Sequence, residues 1–569
     1  MYLEELQSFL NKIMKMAGYE MDARIILSNR PDLCDYQCDD CFKIAKLYHK
    51  NPIEVGEQLV SLIEQSEEKE NYFKKVEFVR PGFINFTLSD AFINKYVKKM
   101  LDDEHFNMKR PEKPELFYVD YGGANIAKPL HVGHLRPAII GESIIRILKF
   151  AGHKTLGDAH LGDYGLQIGE VIYAILRDFK DVPLEEIHFD MAYLDKVYPE
   201  MSKLCKEDKA ILDICEKITK DLQDGNETYQ ALWKQICDVS MQEVKSIYHY
   251  LDVDFDFWYG ESECYPVIPE MKAQLENMGI VKESEGAKII EVKKEDDNRE
   301  VPPFILEKSN GASLYSTTDL ACIYERVKRF DPNHILYVVD ARQGLHFEQV
   351  FRAARKAKFV THASLEHIGF GTINGKDGKP FKTRSGETLK LRDLIDDVKN
   401  TFLNSKESNR QMKDEDVDKI VNAIIKFADL QNNLEKNYIF DIEKFASVAG
   451  KTGPYILYTY LRINKIISKD AIISELSSDI YNEYDRNLRL KFLEMEQAVQ
   501  NAVMERRPHY IAEYLYQLCV EANNFYQNNH MMNLTDEQIK SDWTQVLLLT
   551  NRILKELLHL LVIEIPTEM

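Results

Sequence analysis

No run of apolar residues in this chain approaches the length that a bilayer requires. The longest, such as Val546 to Leu549 and Leu557 to Val562, fall far short of the roughly 20 residues needed, so no membrane contact is expected. A secretion leader is missing as well: Met1-Tyr2-Leu3-Glu4-Glu5 is acidic at once and lacks the basic and apolar regions of one, and a cytoplasmic protein is expected. Cysteine is sparse, with 9 in 569 residues. An odd, mostly widely spaced set fits reduced thiols better than a disulfide framework. Basic charge is in deficit too, Lys+Arg 73 against Asp+Glu 93 for a net charge of −20, which argues against a nucleic-acid partner unless a local basic track provides for one.

One cysteine group breaks the wide spacing. Cys34, Cys38 and Cys41 form a C-x3-C-x2-C pattern that a radical enzyme could use for an iron–sulfur cluster. The stretch Phe42 to Leu47 continues as an amphipathic helix and no second cluster accompanies it, so small cysteines facing a core are expected.

What is present divides the chain. Its length predicts about three or four domains. Residues 1–110 read as a small α+β domain, with helical periodicity first and short strands over Val76 to Leu88 broken at Pro81-Gly82. Leu116 to Tyr121 is a short apolar run of strand type, followed by Gly122-Gly123 and a long helical pattern. That is how a Rossmann-like, doubly wound α/β domain begins, and it is expected over 111–400. Ile140, Ile144, Ile147 and Leu148 share a face, and Gly152 stands where a helix C-cap belongs, giving a helix from about His134 to Ala151. A charged, mostly helical insertion over about 175–300 interrupts the alternation before a strand at Ile335 to Val339. Residues 401–569 read as an all-α helical bundle.

Between the strand and the helix stands Asn125-Ile126-Ala127-Lys128-Pro129-Leu130-His131-Val132-Gly133-His134. A helix N-terminus attracts anions, Gly133 lets a nucleotide approach the backbone, two imidazoles can donate to phosphate oxygens, and Lys128 adds a mobile cation. An H-x-G-H tetrad arises by chance about 0.02 times in such a chain. The alternative, two surface histidines at a helix start, is the lesser reading even alone, and the preceding strand and Lys128 reduce it further in favour of ATP.

The tetrad resembles the first signature of class I aminoacyl-tRNA synthetases, and the longer Val119-to-Arg136 segment resembles its form in the arginyl-tRNA synthetase family, where Asn-Ile-Ala-Lys precedes the first histidine. Further matches in family order are Gly162 to Gln167, Phe255 to Trp258, Tyr315 to Ala321 and Gln343 to Phe347, with Asp35 to Cys38, Arg80 to Phe86 and Gly453 to Tyr458 outside the catalytic region. The resemblance spans essentially the whole chain. It implies ligation of L-arginine to tRNA(Arg) through an arginyl-adenylate, with Mg²⁺ accompanying ATP, tRNA bound before activation, and a monomeric enzyme.

A guanidinium requires a planar acceptor and a compensating charge. The resemblance assigns Asp319 and Tyr315, four residues apart on one helical turn, to that end of arginine, with Asp120, Asn125 and Gln343 completing the pocket. The ATP set is Lys128, His131, Gly133 and His134 with a second loop, Gly378 to Gly386, carrying Phe381, Lys382 and Arg384. Its glycine-flanked cations suit pyrophosphate. The familiar Lys-Met-Ser-Lys-Ser wording is absent, which leaves open whether Lys128, Lys382 or Arg384 carries the main phosphate contact. Catalytic roles are expected of Lys128, His131, His134 and Lys382.

On the RNA side, Tyr455, Tyr458 and Arg462 fall at i, i+3 and i+7 and would offer two stacking surfaces and a cation. The resemblance places this face and Met569 near the anticodon loop, and Tyr36 and Gln37 near the tRNA elbow. The ending Leu560-Leu561-Val562-Ile563 departs from the glycine-containing family form. A nucleotidyltransferase of small metabolites would be far shorter, and an inactive RNA-binding paralogue should have lost one of Lys128, His131, His134, Tyr315 or Asp319; all five are present.

Overall fold

The computed structural model describes residues 2–308, 315–381, 389–405, 412–468, 476–531 and 534–569. The chain forms two compact units, one of residues 1–110, 459–500 and 513–556, the other of 111–458, 501–512 and 557–569.

In the first unit, strands β1 (Ile26–Leu27), β2 (Tyr36–Cys38), β3 (Phe73–Val79) and β4 (Phe83–Leu88) make an antiparallel sheet in the order β1-β2-β4-β3. Local chemistry starts its helices: Asn51 accepts the Ile53 N–H ahead of Pro52, and Ser89 accepts the Phe92 N–H ahead of Asp90–Asp102. Each is a side chain satisfying an otherwise orphaned donor. Arg486, from the C-terminal helices, reaches both carboxylate oxygens of Asp35 at 3.0 and 2.7 Å. Cys34, Cys38 and Cys41 are all buried, and burial first raises each thiol's pKa. They are core residues, as the amphipathic reading expected.

The second unit is built on a parallel sheet of β5 (Leu116–Asp120), β6 (Lys154–Asp158), β10 (His334–Asp340) and β11 (Ser364–Phe370), in the order β11-β10-β5-β6. Phe117, Tyr118 and Val119 are each at most 1% exposed, as befits a parallel strand covered on both faces. The helix Leu135–Phe150 connects β5 to β6 and ends before Gly152 at φ +96. Since β6 and β10 flank β5 on opposite sides, the chain changes direction at the carboxyl end of β5, where such sheets bind ligands.

The insertion carries helices Met191–Glu207, Lys209–Gln223 and Glu227–Tyr250. Its end differs from the helical expectation: β7 (Val281–Ser284), β8 (Ala287–Ile290) and β9 (Phe304–Glu307) form an antiparallel sheet. Glu285 and Gly286, both at positive φ, make the tight turn that joins two strands. Farther on, β12 (Ile373–Asn374) pairs with β13 (Tyr438–Ile439). No helix among the described residues is long and apolar enough to cross a membrane. Cys264 and Cys322 are paired with Cα atoms 5.4 Å apart, a spacing suited to a disulfide, while the other seven cysteines are free, so the set is no disulfide framework although this one pair departs from the reduced-thiol expectation.

Candidate active site

The backbone leaving β5 is shaped for close approach. Gly122 has φ +71, and Ala127, at φ +66, is held by its N–H on Ser240 Oγ at 3.0 Å. Asn125 pairs in parallel with Gly162, where a Cβ would lie 2.4 Å from Asn125 Oδ1. The tetrad then folds onto itself. His131 Nδ1 accepts the Gly133 N–H at 3.0 Å, and His134 Nδ1 accepts the His131 N–H at 3.0 Å. The rings lie 3.9 Å apart. A Cβ on residue 133 would meet His131 Cε1 at 2.7 Å, so the glycine of H-x-G-H is required by the back-folded imidazole itself.

Burial lowers the pKa of His131, helped by Lys128, and takes His134 to about 3, with His131 and Lys128 as smaller causes. Both rings are neutral near pH 7. With each Nδ1 accepting, the proton sits on Nε2, which makes each ring a donor to an incoming oxyanion. Arg136, in the first turn of the helix that follows, is ion-paired with Asp429 at 2.9 Å and donates to Gly371 O at 2.7 Å.

The residues after the second loop join this geometry. Val132 N–H donates to Leu389 O at 3.0 Å, Leu391 N–H donates to Leu130 O at 2.9 Å, and His131 pairs with Lys390. Before it, Asn374 pairs with Pro380 around a turn at Gly378, φ +73, and Phe381 faces Phe440 with ring centres 6.3 Å apart. Lys382 and Arg384 lie outside the described residues.

A second cluster is acidic. Asp319 Oδ2 stands 2.5 Å from His346 Nε2. Glu261 has its pKa pushed up to about 8 by burial, then by Asp163 and Asp319. Tyr315 is exposed as a residue, yet its hydroxyl pKa is raised by desolvation, then by Glu261 and Tyr198. Asp163 receives the Ser262 hydroxyl at 2.6 Å and its N–H at 3.0 Å. Gly260 allows this, since a Cβ there would lie 2.4 Å from the Asp163 carboxyl carbon. Sequence reasoning named Asp319 and Tyr315 but missed Glu261 and His346. Glu261 lies just beyond the Phe255 to Trp258 segment, and nothing local separates it from Glu263; His346 lies within the Gln343 to Phe347 motif.

Asp120 is occupied differently. Arg326 Nη2 lies 2.7 Å from Asp120 and 2.8 Å from Asp158, with Tyr118 donating to Asp158 at 2.9 Å. All three charged groups are buried. Asn125 is half-buried, and Gln343, exposed, ends a short turn after β10.

On the RNA side, Tyr455 is half-buried and Tyr458 exposed on the helix Gly453–Ile467, and Arg462 stacks 4.0 Å above the Tyr526 ring. Met569 is half-buried, and nearby Thr567 donates to Asp416. The expectation for Tyr36 needs correction: it is 1% exposed, with its hydroxyl 2.8 Å from that of Tyr2, so it supports the sheet and cannot stack on RNA. Gln37 beside it donates to Asn85 at 2.9 Å.

Comparison with known proteins covers the same regions. Family models match as "tRNA synthetases class I (R), catalytic domain" over 96–442, "Arginyl tRNA synthetase N terminal domain" over 2–88 and "DALR anticodon binding domain" over 456–569. The chain is 41% identical to an arginine–tRNA ligase of Alkaliphilus oremlandii, with 100% of this chain and 99% of that protein covered. It is 40% identical to the one of Agathobacter rectalis, with 98% of each covered. The crystal structure of arginyl-tRNA synthetase from Plasmodium falciparum superimposes with a TM-score of 0.82 at 26% identity, covering 100% of this chain and 99% of that one. A back-folded histidine pair after β5, an acidic cluster around Asp319 and matches along the full length converge on one assignment: the chain belongs to the arginyl-tRNA synthetases of class I.

Proposed function

We propose that this protein is an arginine–tRNA ligase in which the H-x-G-H loop holds ATP and the acidic cluster of Asp319, Glu261 and Tyr315 holds the guanidinium of L-arginine. The arginine carboxylate attacks the α-phosphate of ATP, the bond to pyrophosphate breaks, and the arginyl-adenylate passes its acyl group to a terminal ribose hydroxyl of tRNA(Arg). The observation that carries this reading is the histidine pair: two neutral imidazoles, fixed by their own backbone, present Nε2 donors at a helix start. Such preorganised donors stabilise charge that develops on phosphoryl oxygens. Lys128 adds a full charge beside them, and Phe381, Lys382 and Arg384 complete the ATP site.

Asn125 and Gln343 stand at the carboxyl ends of β5 and β10, suited to the ammonium and carboxylate of arginine. Asp120 belongs to the floor of this pocket, and its pairing with Arg326 makes its part organisational. Mg²⁺ would arrive on the nucleotide phosphates. Among the described residues, the group of three metal-capable side chains is Asp120, Asp158 and His160. Arg326 neutralises two of these, so the group does not suit a resident dication.

The exposed Tyr458 is available for base stacking, with Tyr455, Arg462, Met569 and Gln37 as further RNA contacts. The enzyme works as a monomer in the cytoplasm, where its three substrates meet. ATP–pyrophosphate exchange with each of the twenty amino acids, with and without total tRNA, tests the reading. Arginine alone among them should support exchange; preference for cysteine or glutamate would sink it.

A further inference from the structure

The helix Met191–Glu207 belongs to the insertion, yet one of its faces meets Lys128 of the first nucleotide loop and Lys390, which follows the second. Asp195 Oδ2 accepts the Lys390 ammonium at 2.7 Å, and Lys390 is the residue whose backbone pairs with His131. Three residues on, and so on the same face, the Tyr198 ring lies under the Lys128 ammonium, 4.3 Å from nitrogen to centroid. Tyr198 is also close enough to Tyr315 to help raise the pKa of that hydroxyl. A lysine stem is long and rich in rotamers. Lys128 nevertheless remains within electrostatic range of both imidazoles, and its backbone is fixed through the Ala127 N–H on Ser240, another insertion residue.

We propose that Tyr198 is a positioning residue for adenylate formation: its ring face holds the Lys128 ammonium beside the His131–His134 pair, ready for the phosphates of ATP. The inference rests on the assignment of Lys128 to ATP made above. A cation over an aromatic face is attracted by the ring quadrupole, more strongly where water is excluded. The effect does not use the phenol hydroxyl. Without the ring, Lys128 must find the phosphate from an ensemble of rotamers, and the loss falls on the chemical step rather than on arginine binding.

The test is arginine-dependent ATP–pyrophosphate exchange, with total tRNA present, on the full chain with Tyr198→Leu, Tyr198→Phe, Lys128→Ala and the double variant Tyr198→Leu/Lys128→Ala, residual rates being followed at high enzyme concentration. Tyr198→Leu should lower kcat about fivefold with the arginine KM unchanged. Tyr198→Phe should restore it to within about twofold, since the ring face remains. In the Lys128→Ala background, Tyr198→Leu should have no further effect on kcat. A Tyr198→Leu enzyme with unaltered kcat, a Phe variant as impaired as the Leu variant, or an equal Tyr198→Leu loss in the Lys128→Ala background would each overturn the proposal. Failure of the ATP assignment looks different: Lys128→Ala would then leave exchange intact.

Discussion

His346 Nε2 and Asp319 Oδ2 lie 2.5 Å apart, so the carboxylate expected to receive the guanidinium of arginine already has one oxygen oriented by a neighbouring helix. In the proposed pocket its other oxygen is the one left for the substrate.

Removing that neighbour should act on arginine alone. His346→Ala is expected to raise the arginine KM by about tenfold, the effect of losing one hydrogen bond to a charged group, while the ATP KM stays unchanged. Asp319→Ala should raise the arginine KM much further, again sparing ATP. The check is initial rates of ATP–pyrophosphate exchange in the presence of total tRNA, with each substrate varied in turn. Equal effects on both substrates would remove the pair from the guanidinium pocket.

Glu261 gives the pocket a pH dependence. Its pKa is pushed up to about 8 by burial, with Asp163 and Asp319 adding repulsion, so the free enzyme at pH 7 carries it mostly protonated. A guanidinium favours the ionised form, and arginine binding must therefore release a proton. The sign follows: arginine affinity rises as pH increases from about 6.5 through 8. Calorimetry in buffers of different ionisation heat should report proton release near pH 7, and Glu261→Gln should flatten the affinity profile over this range. A wild-type affinity independent of pH there would contradict the assignment.

A third expectation concerns stability. Arg136, 1% exposed, pairs with Asp429, fully buried, and Arg136→Ala leaves that carboxylate without its cation. Breaking a buried pair from one side costs about 3–5 kcal/mol, measurable as a lower midpoint in urea unfolding. Arg136→Ala with Asp429→Ala should recover part of the loss, because the orphaned charge is removed as well. A double variant no more stable than the single one would contradict this account.

The sequence and the structure agree where short-range chemistry decides the outcome. The strand at Leu116, the helix ending before Gly152, and the two strands around Pro81-Gly82 follow from apolar period and turn residues. The hairpin at β7 and β8 escaped because Val281 to Ile290 is short and charged, and a charged stretch inside a helical insertion reads as more helix. At the site, His131, His134, Lys128 and Asp319 were legible because they stand within one or two local motifs. Glu261, Tyr198 and the role of His346 within its motif were not. Each acquires its meaning from a partner at least 27 residues away, as His346 does from Asp319, and no local period records such a partner. Tyr36 failed for the opposite reason: a residue within a family motif was expected at the surface, although β2 points it at Tyr2.

Arg326, buried with Asp120 and Asp158, has one more consequence. The enzyme contains within its own fold a copy of the group that it must select. That guanidinium already satisfies the two acids at the ends of β5 and β6, so neither carboxylate stands free to receive the guanidinium of a second arginine.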